Sequence, residues 1–141
     1  MAAAFGEFRL KLDDKGRIVL PAKTRPQLAD GTYLTRGQDR CLFLFSDAQF
    51  EAYRAQMADN APAGIPPMAF DRIFYSSVVA ADLDKQGRLT VPLSLREYAG
   101  LERDLVIVAL ERRMELWDAA AWDAYYDRYV LSYSTLNEGV R

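Results

Sequence analysis

The chain has 141 residues, half of them hydrophobic and 27% charged, with a formal net charge of -2; this suits one compact unit or two very small ones and excludes a disordered chain or a uniformly basic nucleic-acid coat. It has no histidine and one cysteine, Cys41, which excludes His-based triads, nearly all zinc hydrolase sites, an intrachain disulfide and a thiolate metal cluster. The longest apolar run, Leu105 to Leu110, falls far short of the about 20 residues of a membrane helix.

In chain order, Met1 to Gly6 place no positive residue ahead of a long apolar region, so no leader peptide is expected. One thiol without a disulfide suits a reducing, cytoplasmic compartment. Phe8, Leu10 and Leu12 alternate with Glu7, Arg9 and Lys11, the period of a half-buried strand. Asp14-Lys15-Gly16 supplies a tight turn in which Gly16 is free to take positive φ, and Ile18 to Leu20 returns as a second strand. Pro21 stops that strand and suits the first turn of a helix, which Pro26 should shorten or kink. Tyr33-Leu34 and Leu42 to Phe45 flank a turn with Gly37 and Asp39, a hairpin pattern. Ser46 with Gln49 three residues on spells a capping box for the helix that follows. The stretch Ala61 to Pro67 is Pro- and Gly-rich and reads as a linker. A helix from Met68 to Ser77 then carries Phe70, Ile73 and Phe74 on one face.

From Leu83 the chain repeats itself. Leu12, Asp13, Gly16, Arg17, Pro21 and Arg25 recur as Leu83, Asp84, Gly87, Arg88, Pro92 and Arg96, all at an offset of 71. Phe45, Phe50 and Tyr53 recur as Trp117, Trp122 and Tyr125 at an offset of 72. A second hairpin is expected from Leu105–Leu110 and Met114–Trp117 around Glu111-Arg112-Arg113, with Asp118 as the next helix N-cap. Two homologous halves follow, residues 5–60 and 76–136, joined by a linker and connecting helix over 61–75. In the last helix Trp122, Tyr125, Tyr126, Tyr129, Val130 and Tyr133 form one stripe, suited to a core or subunit contact or to a base-stacking platform.

Catalysis finds no support: the sequence has no G-x-S-x-G elbow, no phosphate-cradling glycine loop and no metal-ligand spacing, so no enzyme, cofactor, metal or small-molecule substrate is expected. The paired Asp13 and Asp14 suit turn chemistry, and Cys41 suits packing. Charge is unevenly placed. Residues 9–25 carry a balance of +4, through Arg9, Lys11, Lys15, Arg17, Lys23 and Arg25 against Asp13 and Asp14. Residues 82–96 carry +1, and residues 97–141 carry -4. A basic two-stranded ribbon can neutralise phosphates and enter the major groove; charge alone equally fits a solvated surface ribbon.

The blocks Asp13-x-x-x-Arg17 and Asp84-x-x-x-Arg88, each with Gly before the Arg and Pro four residues after it, resemble the paired signature of the MraZ family. The opening Phe5-Gly6-Glu7-Phe8 and the closing Leu116-Trp117-Asp118-Ala119 with Trp122 resemble it too, so the resemblance spans nearly the whole chain. It implies an α+β fold: a pseudo-twofold AbrB-like (SpoVT-AbrB) β-barrel from two homologous halves with peripheral helices. It also implies a cytoplasmic, nucleoid-associated transcriptional regulator of the division and cell wall gene cluster. Such a protein would bind tandem direct repeats in double-stranded DNA as a homo-oligomeric, octamer-like ring, with no membrane partner. Carried over by position, Arg17 and Arg88 would face DNA, Lys15 would add a phosphate contact, and Lys85, Arg9 and Lys11 would extend the basic surface. Asp13, Gly16, Asp84 and Gly87 would shape the turns and orient the arginines. The second repeat has Lys85-Gln86 where the first has Asp14-Lys15, a one-position displacement of the lysine. Two other classes remain at this stage: an antitoxin-like AbrB DNA-binding module, and a structural oligomer that does not bind DNA.

Overall fold

The alternating segment does form a strand, Gly6–Lys11 (β1), with Phe8 and Leu10 packed against the core and Arg9 and Lys11 exposed. The protein is seen in a computed structural model that describes residues 4–137; Met1 to Ala3, part of the stretch read for a leader, lie outside it. After β1 come β2 (Arg17–Val19), a 3-10 helix (Ala22–Leu28), β3 (Thr32–Arg36), β4 (Leu42–Ser46), α1 (Asp47–Asp59) and α2 (Pro67–Ser77). Then follow β5 (Val79–Ala80), β6 (Arg88–Thr90), α3 (Leu93–Tyr98), β7 (Asp104–Ala109), β8 (Met114–Asp118) and α4 (Ala119–Ser134). The connecting helix α2 ends at Ser77, where the sequence placed its end, and starts one residue earlier, at Pro67.

The mixed α+β architecture is built on antiparallel pairing. Six strands form one sheet in the order β1-β7-β8-β4-β3-β5, and β2 pairs with β6 in a separate ribbon. Both expected hairpins are present, β3 with β4 and β7 with β8, and they meet where Leu42 faces Leu116 and Leu44 faces Met114. The return strand differs from expectation. It does not pair back onto β1; β1 lies along β7, with Phe8 opposite Ile107, and β2 lies along β6, with Ile18 opposite Leu89. A lone two-stranded hairpin is marginal in water, whereas this exchange seats Ile18 and Leu89 fully inside the core.

Two apolar clusters fill the molecule. One holds Ile18, Leu34, Leu44, Leu89, Leu105 and Ile107, under the ribbon and on one face of the sheet. The other holds Phe43, Phe45, Phe50, Tyr53, Phe74 and Trp117 on the opposite face. Strand β4 feeds both, since successive side chains alternate sides, and its Leu42 to Phe45 run is wholly buried. The Ser46–Gln49 capping box forms as read, with both reciprocal bonds in place. Asp118 does not cap α4 with its side chain; its Oδ1 accepts instead from the Glu102 N–H at 3.1 Å.

Pro26 acts as expected. It occupies the place of Glu97 in the repeat and has no N–H to donate, and its element is a 3-10 helix where the counterpart is α. In α3 the Arg96 N–H reaches the Pro92 carbonyl at 3.0 Å, while in the first repeat the Thr24 N–H closes a three-residue turn on Pro21 at 2.9 Å. In α4 the aromatic stripe is only half absorbed. Trp122 and Tyr125 pack on Trp117, but no α4 residue is fully buried, and Tyr129 and Tyr133 remain 45% and 76% exposed. Among the described residues no helix is long and apolar enough to cross a membrane.

Candidate nucleic-acid interface

Each repeated block builds the same turn. Gly16 at φ 76° and Gly87 at φ 76° take the left-handed conformation that a side chain would strain. The Gly16 N–H bonds the Asp13 carbonyl at 3.1 Å, and the Gly87 N–H bonds the Asp84 carbonyl at 2.9 Å. The aspartate side chain then organises everything after it. Asp13 Oδ1 accepts from the Lys15 and Arg17 backbone N–H groups at 2.9 and 2.8 Å, and its Oδ2 accepts from Arg17 Nε at 2.8 Å. Asp84 does the same with the Gln86 and Arg88 N–H groups, both at 2.9 Å, and with Arg88 Nε at 2.6 Å. The Asp13 carboxyl is held below the ordinary aspartate range, first by the Arg17 backbone N–H and then by its guanidinium and the Lys15 N–H, against some desolvation. Asp84 is lowered by the equivalent groups of Arg88 and Gln86, with the Arg88 backbone N–H the largest cause.

The ribbon brings the two arginines together. Arg17 and Arg88 lie on paired strands, Arg17 opposite Thr90 and Arg88 opposite Val19. Both line one shallow groove of about 320 Å³ with Asp84, Thr90 and Ala80. Their side chains are 28% and 33% exposed. Among the described residues the terminal amino groups of Arg17 have no partner, and Arg88 lends one to Gln86 Oε1 at 3.3 Å. A guanidinium held by Nε, with its terminal nitrogens available, is a preset fork for a phosphate or for the edge of a guanine. Lys15 and Lys85 are exposed on the two turns and enter no ion pair among the described residues.

The other two predicted basic residues lie elsewhere. Arg9 bonds Asp123 on α4 at 2.8 Å and Glu7 at 2.5 Å, and Lys11 bonds Asp104 on β7 at 2.7 Å. They line a different groove, with Leu10, Leu105 and Ala119. Sequence reasoning read Arg25 and Arg96 as a matched pair of the repeat and as charge, and assigned them no place at the turns. The structure puts them at the site: Arg96 lies over Gly16, and Arg25 lies over Gly87. The signal was present, since both stand four residues after the proline of their block. Cys41 is buried and packs among aromatic side chains, and burial first of all pushes its thiol far above the ordinary range. Among the described residues no three His, Cys, Asp or Glu side chains gather as a metal site.

A family model described as "MraZ protein, putative antitoxin-like" matches residues 3–72 and 74–138 of the chain. A protein of Kocuria rhizophila named "Transcriptional regulator MraZ" is 43% identical over 135 residues, which is 96% of this chain and 94% of that protein. Proteins of the same name from Salinispora tropica and Symbiobacterium thermophilum are 42% and 41% identical, over 92% and 94% of this chain and 92% and 96% of their own lengths.

Proposed function

The chain belongs to the MraZ family, and on that premise we propose that it is a DNA-binding transcriptional regulator that presents the β2–β6 ribbon to duplex DNA. The carrying observation is the pair of arginines on that ribbon, each anchored through Nε by an aspartate that also ties down its own turn. Preorganised forks read base edges or phosphates without first losing side-chain freedom. Lys15 and Lys85 flank them as phosphate contacts; Arg9 and Lys11, held in ion pairs with Asp123 and Asp104 and lining a different groove, take a lesser part.

The finer architecture in this reading is a pseudo-twofold AbrB-like barrel of two halves, 5–60 and 76–136. Its support is the strand order, which reads in reverse when β1, β3 and β4 are exchanged for β5, β7 and β8. The finer function is control of the division and cell wall gene cluster through direct repeats in its promoter, by a homo-oligomeric, octamer-like ring in the nucleoid. The exposed apolar face of α4, with Tyr126, Tyr129, Val130 and Tyr133, is the surface that supports subunit contact.

The test is fluorescence anisotropy with duplex from upstream of the protein's own gene, titrated from about 50 to 200 mM salt with scrambled competitor. Arg17→Ala or Arg88→Ala should each lose roughly tenfold or more in affinity, about 1–3 kcal/mol, and relax discrimination. Lys15→Ala should weaken all sequences alike and flatten the salt slope by about one. A folded Arg17→Ala/Arg88→Ala double variant that binds like the parent chain removes the ribbon from the interface.

A further inference from the structure

The two reading turns are not independent. Arg25 donates its Nε to the Leu20 carbonyl at 2.9 Å, and the Leu20 N–H in turn bonds the Gly87 carbonyl at 2.9 Å. Arg96 donates its Nε to the Val91 carbonyl at 2.9 Å, and the Val91 N–H bonds the Gly16 carbonyl at 2.8 Å. Each arginine therefore braces the carbonyl of the residue just past its own strand, and the N–H of that same residue holds the turn of the opposite repeat. The guanidinium also covers that turn. Gly16 and Gly87 are buried, and a Cβ on Gly16 would stand 3.0 Å from Arg96 Cζ. A Cβ on Gly87 would overlap the Arg25 guanidinium outright. The glycines thus serve two needs at once, positive φ and room for the crossing side chain.

The geometry points to Arg25 and Arg96 as positioning residues that act across the repeats, Arg25 setting the turn that carries Asp84 and Arg88, and Arg96 setting the turn that carries Asp13 and Arg17. The inference rests on the DNA-binding reading for its functional consequence, but its structural half stands without DNA. The consequence is coupling. A guanidinium whose turn shifts by a fraction of an ångström loses bidentate geometry, so disturbing Arg25 should disable Arg88 and leave Arg17 intact. Lysine keeps the charge at either position and lacks the planar cover and the Nε donor, so Arg25→Lys separates positioning from charge.

The experiment has two arms on the full chain, each variant first checked by circular dichroism and thermal melting. In the first, without DNA, amide hydrogen exchange is followed for the N–H groups of Lys15, Arg17, Gln86 and Arg88. Arg25→Lys should speed exchange at Gln86 and Arg88 and leave Lys15 and Arg17 unchanged; Arg96→Lys should do the reverse. Acceleration confined to the variant's own repeat, or spread evenly over both, overturns the inference. In the second arm, affinity for duplex DNA is measured in a double-mutant cycle. Arg25→Lys should cost roughly tenfold in the parent chain and in Arg17→Ala, nothing further in Arg88→Ala, and should leave the salt slope unchanged. If Arg25→Lys binds like the parent while Arg25→Ala flattens the salt slope, the arginine is a phosphate contact and the positioning role falls. A parent chain that binds no DNA defeats the proposed function alone, and the exchange pattern still decides the cross-repeat brace.

Discussion

Asp13 and Asp84 are the residues on which the proposed interface turns, because each accepts three hydrogen bonds that only the carboxylate satisfies together. Their pKa values are depressed in the folded chain. A group with a depressed folded pKa stabilises fully above its unfolded value, and that contribution fades as pH falls through the folded one. The turns should therefore be intact from neutral pH down to the ordinary aspartate range, and loosen only below it. Amide exchange at Arg17 and Arg88 through an acid titration checks this; loosening that begins near pH 6, where no carboxylate with a depressed pKa titrates, contradicts it. Asp84→Asn keeps an acceptor for the backbone N–H groups but places a donor or a neutral oxygen before Arg88. The fold should survive, and DNA affinity should fall several-fold, by less than for Arg88→Ala, in the same anisotropy assay. Cys41, buried with its thiol pushed up by desolvation, should resist alkylation in the native chain and react once denaturant opens the core. Rapid labelling of the native chain would show that the aromatic cluster around it is open to solvent.

At the scale of elements, α1 and α4 occupy equivalent places in the repeat and face different surroundings. Phe50 and Tyr53 on α1 are closed over by Phe74 on α2, with the Phe50–Phe74 rings 6.2 Å apart and the Tyr53–Phe74 rings 5.4 Å apart. Their counterparts Trp122 and Tyr125 stack at 5.9 Å and stay half-exposed, and the face runs on to Tyr129 and Tyr133. Phe50→Ala should therefore cost about 3–5 kcal/mol in a denaturant melt, whereas Tyr133→Ser should stay within about 0.5 kcal/mol. A large loss of stability at Tyr133 would mean that α4 is closed over within one chain. The strands, both hairpins, the capping box and the disturbance at Pro26 were legible because period, turn residues and capping pairs are local. The partners of β1 and β2 were not. Alternation in Glu7 to Leu12 says which side chains face inward and is silent on which strand lies alongside, and the glycine turn suggests a hairpin that the tertiary pairing overrides. The site was legible to the same depth. Asp13, Gly16 and Arg17 announce themselves by spacing, but that Arg25 lands on Gly87 depends on the exchange of strands between repeats.

For the whole molecule, the ribbon and the α4 face together set what DNA site a ring could use. Among its described residues one chain offers a single ribbon, three residues per strand, with Arg17 and Arg88 on it. Such a surface covers a few base pairs, so a lone subunit should bind weakly. If α4 of each copy seats on a different surface of the next, the contact is head-to-tail, and it closes into a ring when the rotation permits. A ring places its ribbons side by side and turns the second and third DNA contacts into intramolecular events, adding on the order of a hundredfold or more in avidity. The gain appears only when successive DNA elements face the same side of the duplex, about 10–10.5 base pairs apart or a multiple of that. Because every ribbon in a head-to-tail ring points the same way around, direct copies fit and inverted copies do not. Affinity for two copies of the short element, with the spacer stepped through one helical turn, should peak at one phase and drop about half a turn later. Tyr129→Asp, on the exposed face of α4, should lower the mass seen in light scattering and remove the spacing preference together, leaving the weak single-element binding. A spacing preference that survives in a monomeric variant, or a better fit to inverted copies, would mean that the ribbons act in isologous pairs, and the side-by-side arrangement would have to be given up.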